Sequence, residues 1–380
     1  MSLAIGRKTF WRLLSAVPLA LAGTGCARRQ PGAPAGEEQF GDRILRDTAT
    51  AMLSFGAYIG DRLGIYRAMA AAGRSTVPQL ASRTGLNQRY LQEWLGLMVT
   101  AAYVEYDPEG ETYWLPPDHA TVLCDENSPL FGAGLIESLA CVFVTPKVLE
   151  GFRGGKGPVP ADYPPEQWEG IERQMAPVYR HALVQSYLAA MPEVMDRLNQ
   201  GGTALDLGCR GGLASITIAK AFPAARVFGV DVHAASVERA RANAAAAGLA
   251  GRIRFETYDG TVLPRNQFDL ITTCHAIHHA ADPVRLLGSV REALTDGGVL
   301  LMLEGNVPEE LRNNINPWGN WLHGLSLFYC MSSSLAEGGP GYGAVSKESD
   351  VRVLARRAGF TRFRRLPVES RYDAVYEMRA

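Results

Sequence analysis

A glycine-rich segment in the middle of the chain, Asp206 to Gly212 (D-L-G-C-R-G-G), is the first place where residue types and spacing suggest chemistry. The apolar run at Ala204–Leu207 predicts a buried strand, and the apolar residues after the glycines predict a helix. Glycines at such a strand-to-helix turn let the backbone approach a ligand closely and adopt a positive φ. The segment therefore predicts a ligand-binding turn, although glycine-rich turns also occur in many other α/β proteins.

Two acidic residues come at the ends of later strand patterns. Asp231 follows the pattern of residues 226–230, where a carboxylate can accept hydrogen bonds from both hydroxyls of a ribose. Asp259, with Gly260 after it, follows residues 253–257, where a carboxylate can receive the amino group of an adenine. Each acid alone is equally typical of a helix cap. Their order after the glycine-rich turn is what favours a common ligand site.

Three histidines, His275, His278 and His279, follow a fourth strand pattern at residues 270–273. An imidazole can act as a general base for an acceptor that loses a proton, and it can equally serve as a structural or cofactor contact. The close spacing also fits metal ligation, but no carboxylate or cysteine set converges obviously on these histidines. The sequence therefore predicts no metal site here.

The elements that must position these residues alternate between strand and helix from Gly202 onward. The candidate strands are 204–207, 226–230, 253–257, 270–273 and 299–304, and the candidate helices are about 213–222, 235–247 and 283–294. This alternation predicts a mostly parallel, doubly wound sheet. In such a sheet the ligand binds beyond the carboxyl ends of the strands, which is where the turn, the acids and the histidines fall.

A nicotinamide-dependent oxidoreductase would also use a glycine-rich turn and a ribose-binding acid. Its fingerprint is G-x-G-x-x-G, and Arg210 excludes a fingerprint that starts at Gly208. An acid two residues before the first glycine, as Asp206 is, is expected of methyltransferases rather than dehydrogenases. The turn therefore favours methyl transfer over hydride transfer.

The residues from 40 to about 122 have the pattern of helices followed by a hairpin. Ser75 and Asn87 are the expected N-caps of the second and third helices. The strand-like residues 103–106 and 112–115 flank a turn rich in acidic residues, proline and glycine. Helices followed by a two-stranded wing predict a winged-helix domain.

A winged helix raises the question of DNA binding. A base-reading helix presents several Arg, Lys, Asn or Gln side chains together with basic neighbours. The candidate helix at 88–94 has the single cation Arg89, which Glu93 offsets, the wing is acidic, and the whole chain has a net charge of −1. The domain is therefore expected to serve packing or a homodimer contact, with DNA an unlikely partner.

Two further regions are expected near the strand ends. Residues 131–198 look mostly helical, and this stretch either covers a cofactor site or simply packs between domains. Residues 306–345 form an insertion with an aromatic composition that favours a small or medium hydrophobic ligand, although core or dimer packing explains it equally well. Its aromatic residues are Trp318, Trp321, His323, Phe328, Tyr329 and Tyr342.

The composition is that of an ordinary globular protein, with 47% apolar and 20% charged residues. The six cysteines are scattered without a C-x-x-C pair, which favours a reducing compartment over a disulfide framework. The absence of an apolar run of about 18 residues predicts no transmembrane segment. A cytoplasmic location is expected.

Residues 1–36 form a leader whose basic Arg7 and Lys8, apolar stretch and Cys26 resemble a secretory or lipoprotein signal. Export or lipid anchoring is therefore the alternative location, and a non-native leader is the other explanation. The predicted organisation is the leader, a winged-helix domain at 37–130, a helical connector at 131–200 and a catalytic domain at 201–380.

Together these residues resemble class I S-adenosylmethionine (SAM)-dependent methyltransferases, and within them a group with an N-terminal winged-helix domain. The resemblance covers about residue 40 to the C-terminus. It is supported further by residues 60–68 (G-D-R-L-G-I-Y-R-A), 83–94, 276–283 (A-I-H-H-A-A-D-P) and 334–343. It implies an α/β fold, with a doubly wound Rossmann-like methyltransferase domain preceded by a mainly helical winged-helix domain.

The resemblance also implies roles for single residues, with SAM as the cofactor. Asp206, Gly208 and Gly212 would line the methionine end of SAM. Asp231 would hold the ribose, and Asp259 with Gly260 would meet the adenine. His275 would lie near the methionine portion and His278 near the acceptor, and these two histidines are the candidate catalytic residues.

Two residues depart from the pattern of the family. Arg210 stands where the turn usually has its middle glycine, so its side chain either crowds SAM or points outward while Gly211 adjusts the turn. His275 stands where the narrower group commonly has an acid. Both departures lie at the SAM site.

The sequence thus predicts a SAM-dependent methyltransferase that acts on a small, partly hydrophobic acceptor and forms a homodimer. The alternative is a SAM-binding or DNA-binding winged-helix regulator without turnover. Methyl transfer from a sulfonium is an in-line displacement, so the protein chiefly positions the acceptor and excludes water.

Overall fold

The computed structural model describes residues 36–380, with side chains from Gln39 onward. The chain divides into two compact units, which meet in sequence at Glu137 and Ser138. Most of the connector predicted at 131–200 therefore falls in the second unit. The predicted leader, including Cys26, lies outside the described residues except for Gly36.

The first unit is a helical domain with a two-stranded wing. Its helices are α1 (Gly36–Arg62), α2 (Ile65–Ala72), α3 (Val77–Thr84), α4 (Gln88–Thr100), α5 (Pro117–Cys124) and α6 (Ala133–Glu137). The strands β1 (Glu105–Asp107) and β2 (Thr112–Trp114) pair antiparallel as the wing. One apolar core, which includes the fully buried Tyr66 and Leu95, joins the helices. The winged-helix prediction is confirmed.

The helix caps of this unit differ from the prediction at one position. Asn87 caps α4 as expected, because its side-chain oxygen accepts hydrogen bonds from two backbone amides at 2.9 and 3.3 Å. Thr76, and not Ser75, caps α3 and forms a reciprocal capping box with Gln79. The backbone of Ser75 instead pairs with Tyr113 of the wing through two hydrogen bonds. The cap therefore moves one residue along the chain.

The second unit contains a seven-stranded sheet with helices around it. Its strands are β3 (Thr203–Leu207), β4 (Arg226–Asp231), β5 (Ile253–Thr257), β6 (Phe268–Cys274), β7 (Leu294–Gly305), β8 (Arg362–Arg365) and β9 (Asp373–Arg379). Its α-helices are α7 (Thr145–Gly154), α8 (Pro165–His181), α9 (Pro192–Asn199), α10 (Leu213–Ala221), α11 (Ala234–Ala246), α12 (Pro283–Ala293), α13 (Pro317–Leu325), α14 (Met331–Ala336) and α15 (Glu348–Arg357). Single π-helical turns cover Leu183–Tyr187 and Ser326–Cys330.

The sheet has the strand order β5-β4-β3-β6-β7-β9-β8. The strands from β5 to β7 are parallel to one another, whereas β9 runs antiparallel to both β7 and β8. The chain leaves β3 toward β4 on one side and returns later to β6 on the other, so β3 marks the switch in strand order. The predicted doubly wound α/β fold is confirmed, and a ligand site is expected at this switch point.

The five predicted strands are all present, but the last two strands were not expected. The sequence of β8 is R-F-R-R, and β9 contains the buried acids Asp373 and Glu377. Charged side chains in these positions hide the apolar pattern by which a strand is recognised. Both strands are nevertheless part of the sheet, and β9 supplies one of the site residues described below.

The main core of this unit lies between the sheet and the helices α12 and α15. β3 is buried at every residue and so is most of β6, as expected for central parallel strands covered on both faces. Within residues 36–380, no helix is long and apolar enough to cross a membrane.

Candidate functional site at the carboxyl ends of the strands

The carboxyl ends of β3, β4, β5 and β6 lie side by side at one edge of the sheet. The register pairs Leu207 with Val230 on one side and with Thr273 on the other. Beyond β5, the amide of Tyr258 donates a hydrogen bond to the carbonyl of Asp231 at 2.9 Å. The structure therefore brings together the glycine-rich turn, both acidic segments and the start of the histidine segment.

The glycine-rich turn requires glycine at its first and last positions. Gly208 has a φ of 78° and Gly212 a φ of 75°, a backbone region that residues with a Cβ rarely adopt. A Cβ atom on Gly208 would lie 2.7 Å from the Cβ of Ala276, and one on Gly212 would lie 2.8 Å from the ring of Phe255. Both the backbone conformation and the close packing therefore require glycine at these two positions of the turn.

Arg210, at the position of the usual middle glycine, also has a left-handed backbone, with a φ of 48°. Its amide donates a hydrogen bond to Asp231 Oδ2 at 2.9 Å, and its guanidinium donates one to the carbonyl of His275, also at 2.9 Å. The side chain therefore does not point outward, and it reaches from the end of β3 to the end of β6. His275 is left-handed as well, with a φ of 52°. Such strained residues tend to occur at functional sites.

Asp206 is buried at 2% exposure inside the sheet edge. One of its carboxylate oxygens accepts hydrogen bonds from the amide and the hydroxyl of Ser215, at 3.2 and 2.7 Å, and the other accepts one from the Thr272 hydroxyl at 3.1 Å. Burial raises the pKa of the Asp206 carboxyl, and the bonds from Ser215 and Thr272 partly offset this effect. The carboxylate thus ties α10 to β3 and β6.

The two acids predicted to contact a nucleoside differ in exposure. Asp231 is 6% exposed, and its two oxygens accept hydrogen bonds from the amides of Arg210 and His233 at 2.9 Å each. Asp259 is exposed, and one of its oxygens accepts bonds from both the amide and the hydroxyl of Thr261, which lower the pKa of its carboxyl. The neighbouring Gly260 is buried and has a φ of 71°.

His278 is buried at 3% exposure in the short turn that follows β6. Its Nδ1 lies 2.5 Å from Oε2 of Glu304, near the end of the neighbouring strand β7. Nε2 of His278 and Oε1 of Glu304 are both buried without a hydrogen-bond partner in the described part of the chain. Since buried polar atoms are nearly always paired, these are two atoms of the site that a ligand or a water molecule would satisfy.

His275 forms a second histidine–acid pair. Its Nε2 lies 2.9 Å from Oδ1 of Asp373, a residue of β9 that is itself 2% exposed. The other oxygen of Asp373 accepts a hydrogen bond from the Tyr187 hydroxyl at 2.8 Å. One ring nitrogen of His275 is thus engaged by a fixed carboxylate, whereas Nε2 of His278 is a buried ring nitrogen without a partner in the described residues.

A series of ring contacts runs from His233, whose amide is bonded to Asp231, to the histidines after β6. The ring centroid of Trp168 lies 5.5 Å from that of His233 and 5.6 Å from that of Tyr329. The Tyr329 ring lies 4.8 Å from that of His279, which in turn lies 4.4 Å from His278. Aromatic rings therefore line the region between Asp231 and the buried histidine.

The aromatic insertion predicted at 306–345 packs beside this region. Tyr329 and Leu322 are buried in one apolar cluster with Tyr163 and Ile171 from the preceding helical stretch, and Trp318 and Trp321 pack against the same cluster as a stacked pair. The insertion and the helical connector thus form one aromatic layer, although His323 is exposed. The indole nitrogen of Trp318 is buried without a partner in residues 36–380.

Sequence reasoning missed three residues of this site. Glu304 ends a predicted strand next to the histidine strand, so sheet order would have found it. Asp373 lies on a strand that was not predicted, and Cys330 approaches the histidines only through the π-helical turn Ser326–Cys330. One ligand atom each from His278, His279 and Cys330 lie within 4.8 Å of one another. The expectation that no carboxylate or cysteine set converges on the histidines was therefore wrong, because Glu304 and Asp373 contact two of them and Cys330 lies nearby.

The chain matches two family descriptions. Residues 51–125 match the Rv2258c-like winged HTH domain, and residues 205–300 match a methyltransferase domain. The ubiquinone biosynthesis O-methyltransferase of Cereibacter sphaeroides (strain KD131 / KCTC 12085) is 32% identical over 102 residues, which are 27% of this chain and 40% of that protein. An uncharacterized 37.1 kDa protein in transposon TN4556 of Streptomyces fradiae is 35% identical over 123 residues, 32% of this chain and 34% of that protein. The chain thus spans less than half the length of these curated relatives.

Solved structures resemble nearly the whole chain. The mitomycin 7-O-methyltransferase MmcR superposes with a TM-score of 0.66 at 20% identity, over 90% of this chain and 99% of that one. Human N-acetylserotonin methyltransferase, solved in complex with SAM, gives 0.64 at 18% identity, over 92% and 100%. The chain therefore combines a winged helix-turn-helix domain with a domain of the class I SAM-dependent methyltransferase fold, as the sequence resemblance implied.

Replacement of Gly208 by alanine should destabilise the second unit more than the same replacement at Gly248. Both glycines have a φ between 74° and 78°, but only at Gly208 would the new Cβ meet another atom of residues 36–380 within 4 Å. The left-handed backbone costs roughly 1–2 kcal/mol in both variants, and overpacking against Ala276 adds about 1–3 kcal/mol in the first. Urea denaturation midpoints measure the difference, and equal midpoints would show that the contact with Ala276 is not tight.

Proposed function

We propose that this protein transfers the methyl group of SAM to a small, partly hydrophobic acceptor that carries a hydroxyl group. The observation that carries the proposal is the arrangement at one sheet edge. The carboxyl ends of three neighbouring parallel strands carry the glycine-rich turn and the acids Asp206, Asp231 and Asp259. A buried histidine–glutamate pair lies at the next strand end, with a nitrogen that has no partner in the described residues.

The residues at this edge fit SAM in chemical terms. Gly208 and Gly212 keep the turn free of side chains where the methionine end would approach, and Asp206 holds the turn by fixing α10. Asp231 is the carboxylate for the ribose hydroxyls, and Asp259 with Gly260 meets the adenine. His275 lies at the methionine end, where Asp373 fixes its ring. When bound, SAM supplies an electrophilic methyl group on a sulfonium.

The backbone of Arg210 fits this assignment because it has the positive φ that a glycine would provide, whereas its inward side chain must share the strand ends with the methionine end of SAM. Its guanidinium is held by the carbonyl of His275 at the strand ends. The same cation lowers the pKa of the buried Asp206 carboxyl, against the larger effect of burial. Arg210 thus helps to keep an acid of the turn charged.

His278 is the proposed general base. In the tautomer that carries its proton on Nδ1, His278 donates a hydrogen bond to Glu304. The lone pair is then on Nε2, the atom that has no partner in the described residues. Nε2 accepts the proton of the acceptor hydroxyl as the oxygen takes the methyl group, and Glu304 stabilises the imidazolium that forms. The imidazolium then releases this proton to solvent. The positive charge that the sulfonium loses with its methyl group therefore leaves as the proton.

The acceptor is expected to be apolar and flat, with one hydroxyl. Trp168 and Tyr329 provide aromatic surfaces between the cofactor residues and His278, and the apolar cluster around Tyr329 extends away from them. Such surfaces favour aromatic rings, which pack in tilted or offset geometry. The geometry therefore supports a phenol or a related aromatic alcohol.

A regulator that binds DNA through the winged helix is not favoured. Arg89 on α4 forms an ion pair with Glu93, one turn along the same exposed helix face. The wing strands carry Glu105 and Asp107, the second of which is paired with Arg74, so the wing offers phosphate groups no excess of positive charge.

We also propose that the protein is a homodimer through α1. Five large apolar side chains of this helix are between 47% and 69% exposed and share one broad face. These residues are Phe40, Ile44, Leu45, Met52 and Ile59. A second copy of the chain, offering the same helix, would cover them symmetrically.

The dimer proposal predicts that Leu45→Glu yields monomers, because a charge replaces the leucine of this face that is 69% exposed. Light scattering after size exclusion measures the mass. Val353→Glu, on an exposed part of α15, is the matched control and should leave the mass of wild type unchanged. A monomeric wild-type protein at micromolar concentration would refute the proposal.

Calorimetry with SAM and with its demethylated product tests cofactor binding. Wild type should bind both, and Asp231→Asn should bind roughly 10- to 100-fold more weakly, since a hydrogen bond to a charged group contributes about 1.5–3 kcal/mol. Asp296→Asn, an exposed acid near the amino-terminal end of β7, is the control and should bind as wild type does. No binding of either compound by wild type would eliminate the methyltransferase function.

His278→Gln should lower the methylation rate by about 100- to 10,000-fold, the usual contribution of a general base, without weakening SAM binding. The assay follows label transfer from tritiated SAM to a panel of small phenols. His323→Gln, at an exposed histidine of the aromatic insertion, should retain the wild-type rate. A rate close to wild type in His278→Gln would exclude a role for this histidine as base.

A further inference from the structure

Three side chains beside the proposed base have the composition of a metal site. His278 and His279 are consecutive in the turn after β6, and Cys330 ends the π-helical turn before α14. One ligand atom from each residue lies within 4.8 Å of the other two, so a modest shift of the side chains would bring all three to one tetrahedral ion. Cys330 is 3% exposed, so the set is shielded on the cysteine side.

The two histidines are held in the way that metal-binding histidines usually are. Nδ1 of His278 lies 2.5 Å from Glu304, and Nδ1 of His279 lies 3.3 Å from the Ser333 hydroxyl. Each contact orients the ring and leaves Nε2 as the nitrogen available to a ligand. Outer carboxylate and hydroxyl partners of this kind fix the tautomer and raise the basicity of the coordinating nitrogen.

A separate observation points to a ligand at the same place. Nε2 of His278 is buried and has no hydrogen-bond partner in the part of the chain that the structure describes. An orphaned nitrogen in a side chain that is 3% exposed costs free energy unless something occupies the position it faces.

We propose that His278, His279 and Cys330 bind a zinc ion, with the fourth coordination position open to an exogenous ligand. Two imidazoles and one thiolate are a donor set that zinc prefers, whereas calcium and magnesium prefer oxygen ligands. Three protein ligands with one open position are the usual arrangement of a zinc site that also binds small molecules.

Charged groups near the three ligands act on a bound zinc ion in opposite directions. Zinc binds the neutral imidazole and the thiolate, so metal binding releases any proton that these side chains carry at the coordinating atoms. Burial raises the pKa of the Cys330 thiol to about 12, so the ion must displace the thiol proton, which passes to solvent. Arg210 opposes the added positive charge, and Glu304 together with the resulting thiolate offsets it.

If His278 is the base of the proposed function, zinc binding and proton abstraction compete for one atom. Nε2 of His278 either coordinates the ion or accepts the acceptor proton, and it cannot do both at once. The zinc-loaded protein should therefore bind SAM but methylate slowly, and a chelator should restore the rate.

The test is equilibrium dialysis of the full-length protein against zinc, with bound metal measured by mass spectrometry. Wild type should bind one ion per chain, and Cys330→Ser should bind it more than roughly 100-fold more weakly, since loss of an outer partner alone costs about 10- to 100-fold. Cys141→Ser is the matched control, because that thiol is equally buried, belongs to the same apolar cluster, and has a pKa raised to about 12. The control should bind zinc as wild type does.

Cobalt substitution identifies the ligands directly. Wild type and Cys141→Ser should show a thiolate-to-cobalt charge-transfer band, and Cys330→Ser should lack it while its circular dichroism stays that of wild type. Equal zinc affinity in wild type and Cys330→Ser, or a wild type that binds no zinc, would overturn the proposed site. Both outcomes are independent of the proposed methyltransferase function, which the SAM calorimetry decides separately.

Discussion

Arg210 makes the connection on which the geometry of the strand ends depends. Its amide donates to the carboxylate of Asp231 at the end of β4, and its guanidinium donates to the carbonyl of His275 just after β6. One residue of the β3 turn is therefore bonded to both neighbouring strand ends. The left-handed backbones of Arg210 and His275 each cost on the order of 1–3 kcal/mol, and the surrounding bonds must offset that strain. The turn departs from the usual glycine pattern in sequence, but it keeps the same backbone conformation.

The two histidine–acid pairs show how the sheet assembles polar chemistry inside an apolar core. Glu304 reaches His278 because β7 lies next to β6, and Asp373 reaches His275 because β9 pairs with β7. Both acids are almost fully buried, and a buried carboxylate is tolerated only when it is hydrogen-bonded or paired. The pairs differ in one respect that matters for function: of the two, only His278 has a buried ring nitrogen without a partner in the described residues.

The fold of the second unit follows from the sequence because its central strands are short apolar runs that end in glycine or an acid. The same pattern predicted Asp206, Asp231 and Asp259 at one edge, and the structure brings their segments together there. The last two strands could not be predicted from alternation. The sequence of β8 is R-F-R-R, and the acids Asp373 and Glu377 interrupt the apolar residues of β9. Cys330 could not be predicted either, because it meets the histidines across more than fifty residues of chain through a π-helical turn. Local patterns identify strand ends, whereas such long-range contacts depend on tertiary packing.

The central claim is that four successive strand ends form one site for SAM, with His278 at its acceptor side. A crystal structure of the protein with the demethylated product of SAM tests it most directly. The claim predicts ribose hydroxyls within hydrogen-bond distance of Asp231, the adenine beside Asp259 and Gly260, and the sulfur facing the side of His278. A product molecule bound elsewhere, or a ribose that does not contact Asp231, would contradict it.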